Sequence, residues 1–117
     1  MARYSNASGT PTLAAQNAVF GPVRARRDRR TGGVTLQTGP ANAVGAVVKL
    51  QGGSSQSGNF YDIDMINPDD AGGAVIEDLT GSDKVGVVPL NASAFEFFRV
   101  ARTDNTGGTC LVFLTID

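Results

Sequence analysis

Residues 94–116 are the most strongly patterned stretch of the chain and read AFEFFRVAR, then TDNTGG, then TCLVFLTI. The first and third parts are rich in aromatic and β-branched residues, which favour β-strands. The middle part is polar and contains Gly107 and Gly108, as is typical of a loop. Two such runs on either side of a turn-forming loop predict a β-hairpin.

Both strands of this hairpin have apolar residues on both faces. Because side chains alternate along a strand, one side of the last strand consists of Cys110, Val112, Leu114 and Ile116. Leu111 and Phe113 point to the other side. A sheet with one face in water shows a cleaner alternation, so we expect a second packing partner. The predicted oligomer face consists of Phe95, Phe97, Leu111 and Phe113.

Upstream of this hairpin the sequence contains six further strand-like runs. They are 18–26, 34–37, 43–51, 59–66, 74–79 and 84–90, and loop 80–83 is expected to pair the last two. Pro22 predicts that the first run is an edge strand. In the third run, Val44, Ala46, Val48 and Leu50 are expected to face inward, and in the fourth Tyr61, Ile63 and Met65. About eight strands without a helical period predict an all-β fold, an antiparallel and jelly-roll-like β-sandwich.

The composition is that of one small domain. With 117 residues, 15 Gly and 5 Pro, the chain suits a single turn-rich core. We predict a β-sandwich domain over residues 18–117 and an extended N-terminal arm over 1–17, a polar segment that a neighbouring subunit would hold in place. No apolar run approaches the roughly 18–20 residues of a membrane span, and no signal peptide is recognised, so no membrane partner is expected.

Charge is distributed unevenly along the chain. Residues 1–30 contain six arginines and one aspartate, a net charge of +5, whereas residues 31–117 contain four basic and ten acidic residues, a net charge of −6. The densest basic cluster consists of Arg24, Arg26, Arg27, Arg29 and Arg30. It suits contacts with carboxylates of an acidic neighbouring protein, including another copy of the chain, with phosphates of a nucleic acid, or with water alone.

No constellation of residues points to chemistry. The chain has no His, the usual general base and metal ligand, and its single Cys110 lies among apolar residues. Asp62, Asp64, Asp69 and Asp70 allow a calcium interpretation, but alternation on a strand and turn positions favour a solvated face. The prediction is a protein that is not an enzyme and has no catalytic, metal or cofactor site.

Four runs of the sequence resemble a known group of proteins. They are VGAVVKLQGGSS (44–55), NFYDI (59–63), FRVAR (98–102) and GTCLVFL (108–114). Over residues 43–116 the chain is similar to small β-sandwich accessory proteins of tailed-phage virions, with Phe60-Tyr61 where that group typically has Trp. The resemblance implies a head decoration or cement protein, often a trimer seated where capsomers meet, without catalytic residues.

The leading hypothesis is a non-enzymatic virion structural protein that bridges coat subunits at the capsid surface after synthesis in the host cytoplasm. Its expected partners are a major capsid protein or other virion protein and further copies of itself, with a homotrimer favoured. One alternative is a coat protein that packages nucleic acid through the basic segment. Another is a ligand-binding module of a tail or fibre.

Overall fold

The computed structural model describes residues 18–25, 33–89 and 95–116, together with the backbone of Tyr4 and Ser5. Regular structure in these ranges is entirely β-strand, in two antiparallel sheets. The predicted all-β sandwich is therefore confirmed. No helix in these ranges is long and apolar enough to cross a membrane.

Eleven strands lie in the described ranges, three more than predicted, because two predicted strands are divided and a further strand lies in the predicted arm. They are β1 (Tyr4–Ser5), β2 (Val19–Arg24), β3 (Gly33–Thr38), β4 (Val47–Gly53), β5 (Tyr61–Ile63), β6 (Met65–Ile66), β7 (Val75–Ile76), β8 (Leu79–Thr80), β9 (Val85–Pro89), β10 (Phe97–Arg102) and β11 (Val112–Ile116). The six-stranded sheet has the order β1-β11-β3-β9-β6-β7. The five-stranded sheet has the order β2-β10-β4-β5, with β8 paired to the start of β4.

The predicted terminal hairpin is wrong. β10 pairs with β2 and β4, whereas β11 pairs with β1 and β3, so the two strands belong to opposite sheets. The connection over residues 103–111 crosses the sandwich as an arch. This loop of nine residues spans the roughly 10 Å between packed sheets.

Two other predicted strands also divide between the sheets. Run 59–66 becomes β5 in the five-stranded sheet and β6 in the other, and the chain crosses at Asp64. Run 74–79 divides in the same way into β7 and β8, so β8 and β9 do not form the predicted pair. Genuine hairpins join β4 to β5 and β6 to β7.

β2 is an edge strand, as Pro22 predicted. It bulges opposite Arg99, where its register with β10 shifts. Gly21 has a φ of 114°, and a Cβ there would lie 3.0 Å from the Phe98 carbonyl oxygen, so glycine suits this position.

The core consists of alternate side chains from both sheets. The fully buried set includes Val34, Leu36, Val48, Leu50, Met65, Phe98, Val100, Val112, Leu114 and Ile116. Burying each side chain of this size contributes about 1.5–3 kcal/mol. The inward side predicted for the last strand is confirmed, since Cys110 is buried with it.

Two side chains predicted to face inward are exposed instead. Val44 is 90% exposed, because β4 begins only at Val47 and Val44 lies in the preceding turn. Tyr61 is 57% exposed, because β5 is at the edge of its sheet.

We call the end of the sandwich that carries loops 39–46, 81–84 and 103–111 the arch end. Asn42 connects two of these loops. Its side-chain amide donates to the carbonyl oxygens of Gly81 and Leu111 at 3.3 and 3.0 Å, and its Oδ1 accepts the Leu111 N–H at 2.8 Å. Strand register places Gly33, Gly53 and Arg24 at the opposite end.

Of the predicted arm, the structure describes only β1, which pairs with β11 in an antiparallel register. Tyr4 lies opposite Ile116, and Ser5 lies opposite Thr115. The remainder of segment 1–17 lies outside the described residues, and the division of the chain at residue 17 stays a prediction.

Candidate functional site

The outer face of the six-stranded sheet is the candidate site, and it is built from rows of side chains set by strand register. One row crosses five strands through Val75, Ile66, Val87, Thr35 and Thr115. A second row consists of Val85, Gln37 and Phe113, and a third pairs Pro89 with Gly33. We call these side chains, together with Leu111, the uncharged face.

Every outward position of β3, β6, β7, β9 and β11 in this sheet is uncharged. Val75 is 64% exposed and Ile66 is 39% exposed, while the more central valines are half-buried by their neighbours in the sheet. Single exposed apolar residues are ordinary, but a contiguous apolar patch marks a contact surface. The solvated face of an antiparallel sheet is commonly polar, whereas the outward positions of these five strands carry no charged side chain.

Leu111 extends the uncharged face toward the arch end. A Cβ added at Gly39 would lie 2.7 Å from Cδ2 of Leu111, so the leucine side chain occupies the space that glycine leaves. The Gly39 N–H also donates to the Leu111 carbonyl oxygen at 2.8 Å. The arch loop is thereby fixed against the end of β3.

The outer face of the five-stranded sheet is different, because its polar groups bind one another. Arg99 Nε donates to Gln51 Oε1 at 2.7 Å, and Gln51 Nε2 donates to Asp62 Oδ1 at 2.9 Å. Lys49 Nζ lies 3.4 Å from Asp62 Oδ2. The hydrogen bond from Gln51, with the charge of Lys49, lowers the pKa of Asp62 below its ordinary value. The Arg99 guanidinium lies 4.3 Å from the centroid of the Phe60 ring.

The four aromatic and aliphatic residues predicted as one oligomer face are divided between the two sheets. Leu111 and Phe113 lie on the uncharged face. Phe97 is half-buried in β10, and Phe95 packs against the core with its ring centroid 6.3 Å from that of Tyr61. The prediction assumed a hairpin, and the arch separates its two halves. Whether any of the four contacts another subunit stays a prediction.

Of the five arginines predicted as partner contacts, the structure describes Arg24. It lies at the end of β2 with 63% of its side chain exposed, and its Nη2 is 3.6 Å from Oε1 of Glu96. An exposed pair of this kind contributes little to stability. Arg26, Arg27, Arg29 and Arg30 lie outside the described residues, so their role as contacts stays a prediction.

Sequence reasoning missed three residues of the uncharged face, Ile66, Val75 and Val87. The sequence could have identified them through the alternation of inward and outward positions along short strands. That alternation can be followed only after β6 and β7 are separated from the longer predicted runs. It also missed Arg102, which is fully buried. The signal there was an arginine at an inward position after Phe98 and Val100, followed two residues later by Asp104.

The acidic residues weighed as a calcium site do not come together. Asp69 and Asp70 lie in the β6–β7 loop, where the Asp70 carboxylate accepts the Gly72 N–H at 2.9 Å, as the predicted turn requires. Within the described ranges, no three Cys, Asp or Glu side chains are placed to hold a metal ion. Cys110 is buried, and desolvation raises the pKa of its thiol.

The sequence matches no protein-family model and has no significant match among curated protein sequences. The fold is similar to the crystal structure of the SPBc2 prophage-derived protein YomS, with a TM-score of 0.63. The match covers 99% of this chain and 92% of that chain at 8% sequence identity. At this identity the similarity shows a shared fold, and the protein that shares it is prophage-derived.

Proposed function

We propose that the protein is a non-enzymatic virion structural protein, a decoration or cement subunit that binds coat subunits at the capsid surface and stabilises the shell. The observation that carries this proposal is the uncharged face. Its rows span five strands, and a partner that binds over these rows desolvates none of the charged side chains of this chain.

The size of the uncharged face favours repeated contacts over a single tight one. These five strands lie about 4.8 Å apart and have two to six residues, about four on average, each rising roughly 3.3 Å, so they cover on the order of 300 Å². Stable interfaces bury about 800 Å² on each partner. A cement subunit meets this condition by adding contacts and by engaging several coat subunits at once, which raises its avidity. A homotrimer would multiply the contacts in this way.

The similarity to a prophage-derived protein supports a phage origin for this fold. It agrees with the resemblance of segments 44–55, 59–63, 98–102 and 108–114 to virion accessory proteins. The proposal of a capsid-surface location rests on these two similarities together with the uncharged face.

The test is co-sedimentation with capsids assembled from the major coat protein of the same genome. We expect Val75→Lys and Val87→Lys to reduce binding at least about tenfold, because a buried unpaired charge costs more than the 1.4 kcal/mol that corresponds to a factor of ten. Val44→Lys is the matched control, since Val44 is exposed in a turn outside the uncharged face. Wild-type binding by all three variants would contradict the role of this face, and no binding by the wild-type protein would contradict the proposed function.

A further inference from the structure

A cleft of about 410 Å³ opens at the arch end, beside β7, β8 and β9. Its apolar lining residues are Ile76, Leu79 and Val85, and its charged lining residues are Asp69, Asp78 and Lys84. The cleft therefore suits a side chain with an apolar stem and a cationic head, because the stem can pack on the apolar residues while the head meets the carboxylates.

The surroundings of the cleft are strongly acidic. Asp69 and Asp78 line it, and Asp70, Glu77 and Asp83 are each next to a lining residue in the sequence, so these segments carry five carboxylates against Lys84. In the part of the chain that the structure describes, no cation forms an ion pair with any of these five. Like charges close together repel one another, so a partner that brings positive charge is favoured here.

The complementary charge is present in the same sequence. Residues 24–30 contain five arginines and one aspartate. Arg24 ends β2, which is the edge strand farthest from β8 in the five-stranded sheet. Guanidinium groups bind carboxylates through paired hydrogen bonds, and their stems cover apolar surface.

The described residues on either side of the basic segment lie at the end of the domain opposite the cleft. Segment 26–32 is joined to Ala25 and Gly33, which lie at the end opposite the arch end. From Gly33 to Thr38, beside Lys84, β3 rises about 17 Å at roughly 3.3 Å per residue. Two copies placed head to tail bring the two features together directly.

We propose that the arginine-rich segment 24–30 of one copy docks in the acidic cleft of a second copy. This contact is heterologous, since it joins two different surfaces, and it generates a ring when the rotation between subunits closes. It gives the basic segment a partner of defined chemistry and, apart from Val85, which also lines the cleft, leaves the uncharged face of each subunit available for the shell. The contact needs no coat protein, so its test is independent of the proposed function.

The experiment measures the mass of the purified full-length protein by light scattering at low salt, over a range of concentrations. One variant changes the cleft (Asp69→Lys with Asp78→Lys), one changes the basic segment (Arg26→Glu with Arg27→Glu), and a third combines all four changes. Either double variant should weaken self-association by on the order of tenfold or more, the equivalent of one lost charge-assisted hydrogen bond. The combined variant should recover it, because both charges are exchanged.

The matched control is Asp64→Lys, a charge reversal at an exposed carboxylate that does not line the cleft, and it should self-associate like the wild type. Added salt should dissociate the wild-type oligomer, since exposed charges are screened. A wild-type protein that stays monomeric at low salt would overturn the proposal. Self-association that survives in the cleft variant would also overturn it. An arginine variant that self-associates like the wild type and loses only nucleic-acid binding would overturn it as well.

Discussion

The guanidinium of Arg102 and the carboxylate of Asp104 meet through two hydrogen bonds inside the sandwich, from Nε to Oδ1 at 2.8 Å and from Nη2 to Oδ2 at 3.1 Å. Arg102 is fully buried. It also donates to the carbonyl oxygens of Gly108 and Gly107 at 2.8 and 2.7 Å. The Asp104 carboxylate accepts the N–H groups of Val47 and Thr106 at 2.9 and 3.0 Å.

This ion pair connects the end of β10, the arch loop and the first residue of β4. No buried side-chain nitrogen or oxygen in the described ranges lacks a hydrogen-bond partner, so the cost of desolvating the two charges is offset by a complete set of bonds. The pair thereby holds the loop in the conformation that carries the chain from one sheet to the other.

Arg102→Ala should therefore destabilise the fold by about 3–5 kcal/mol, because it leaves the buried Asp104 charge without its partner. Arg99→Ala is the matched control from the same strand. Arg99 lies on the outer face of its sheet, and we expect a loss of about 1 kcal/mol or less there. Urea unfolding followed by circular dichroism measures both changes. Equal losses for the two variants would show that the buried ion pair contributes no more to the free energy of unfolding than the contacts of Arg99 on the outer face.

Acid should weaken the fold through Asp104. The hydrogen bond from Arg102 lowers the pKa of Asp104 far below its ordinary value, against the opposing effect of desolvation, and the N–H groups of Val47 and Thr106 lower it further. An unfolded Asp titrates near pH 3.9. The stabilisation is thus complete above about pH 4 and is lost as the pH falls toward the folded pKa.

The measurement is the free energy of unfolding between about pH 6 and pH 2, a window that contains the unfolded Asp pKa near 3.9. Asp104→Asn should be less stable than the wild type at neutral pH and should lose less stability on acidification. A variant whose stability falls as steeply as that of the wild type below pH 4 would assign the acid sensitivity to other carboxylates.

Cys110 should react with a thiol reagent only after the protein opens. The side chain is buried, and burial raises the pKa of its thiol, so little thiolate is present at neutral pH. Labelling in native buffer should be slow and should accelerate with urea in parallel with global unfolding. Thr109→Cys in a Cys110→Ala background is the matched control, because Thr109 is exposed next to it and should label at once. Fast native labelling of Cys110 would contradict its burial.

Local pattern predicted most of the side chains that form the core, with Val44 and Tyr61 as exceptions, but it did not predict which sheet each strand joins. The alternation of Val112, Leu114 and Ile116 with Leu111 and Phe113 fixed the inward and outward sides of β11 correctly. Pro22 identified the edge strand for a physical reason, since proline has no N–H to donate.

A polar loop with glycines precedes a return strand in a hairpin and in an arch alike, so the sequence around Gly107 does not distinguish them. The distinction depends on long-range contacts of the loop, such as the hydrogen bond from the Val47 N–H to the Asp104 carboxylate at 2.9 Å. The crossing at Asp64 was concealed for a similar reason. Alternation continues unbroken from Ile63 to Met65 although the two residues belong to different sheets.

In the free protein the uncharged face should behave as an apolar surface, and substitutions on it should change the free energy of unfolding only slightly. Ile66→Lys and Val75→Lys replace exposed side chains, so the free energy of unfolding should change by only about 0.5 kcal/mol, as for ordinary surface substitutions. Fluorescence of an apolar dye should fall in both variants, and solubility in ammonium sulfate should rise, because each lysine interrupts a contiguous patch. Val44→Lys removes an even more exposed valine, but one that stands outside the rows, and it should leave both readings near those of the wild type. If the three variants behaved alike, exposure of single side chains rather than their arrangement across five strands would explain the surface.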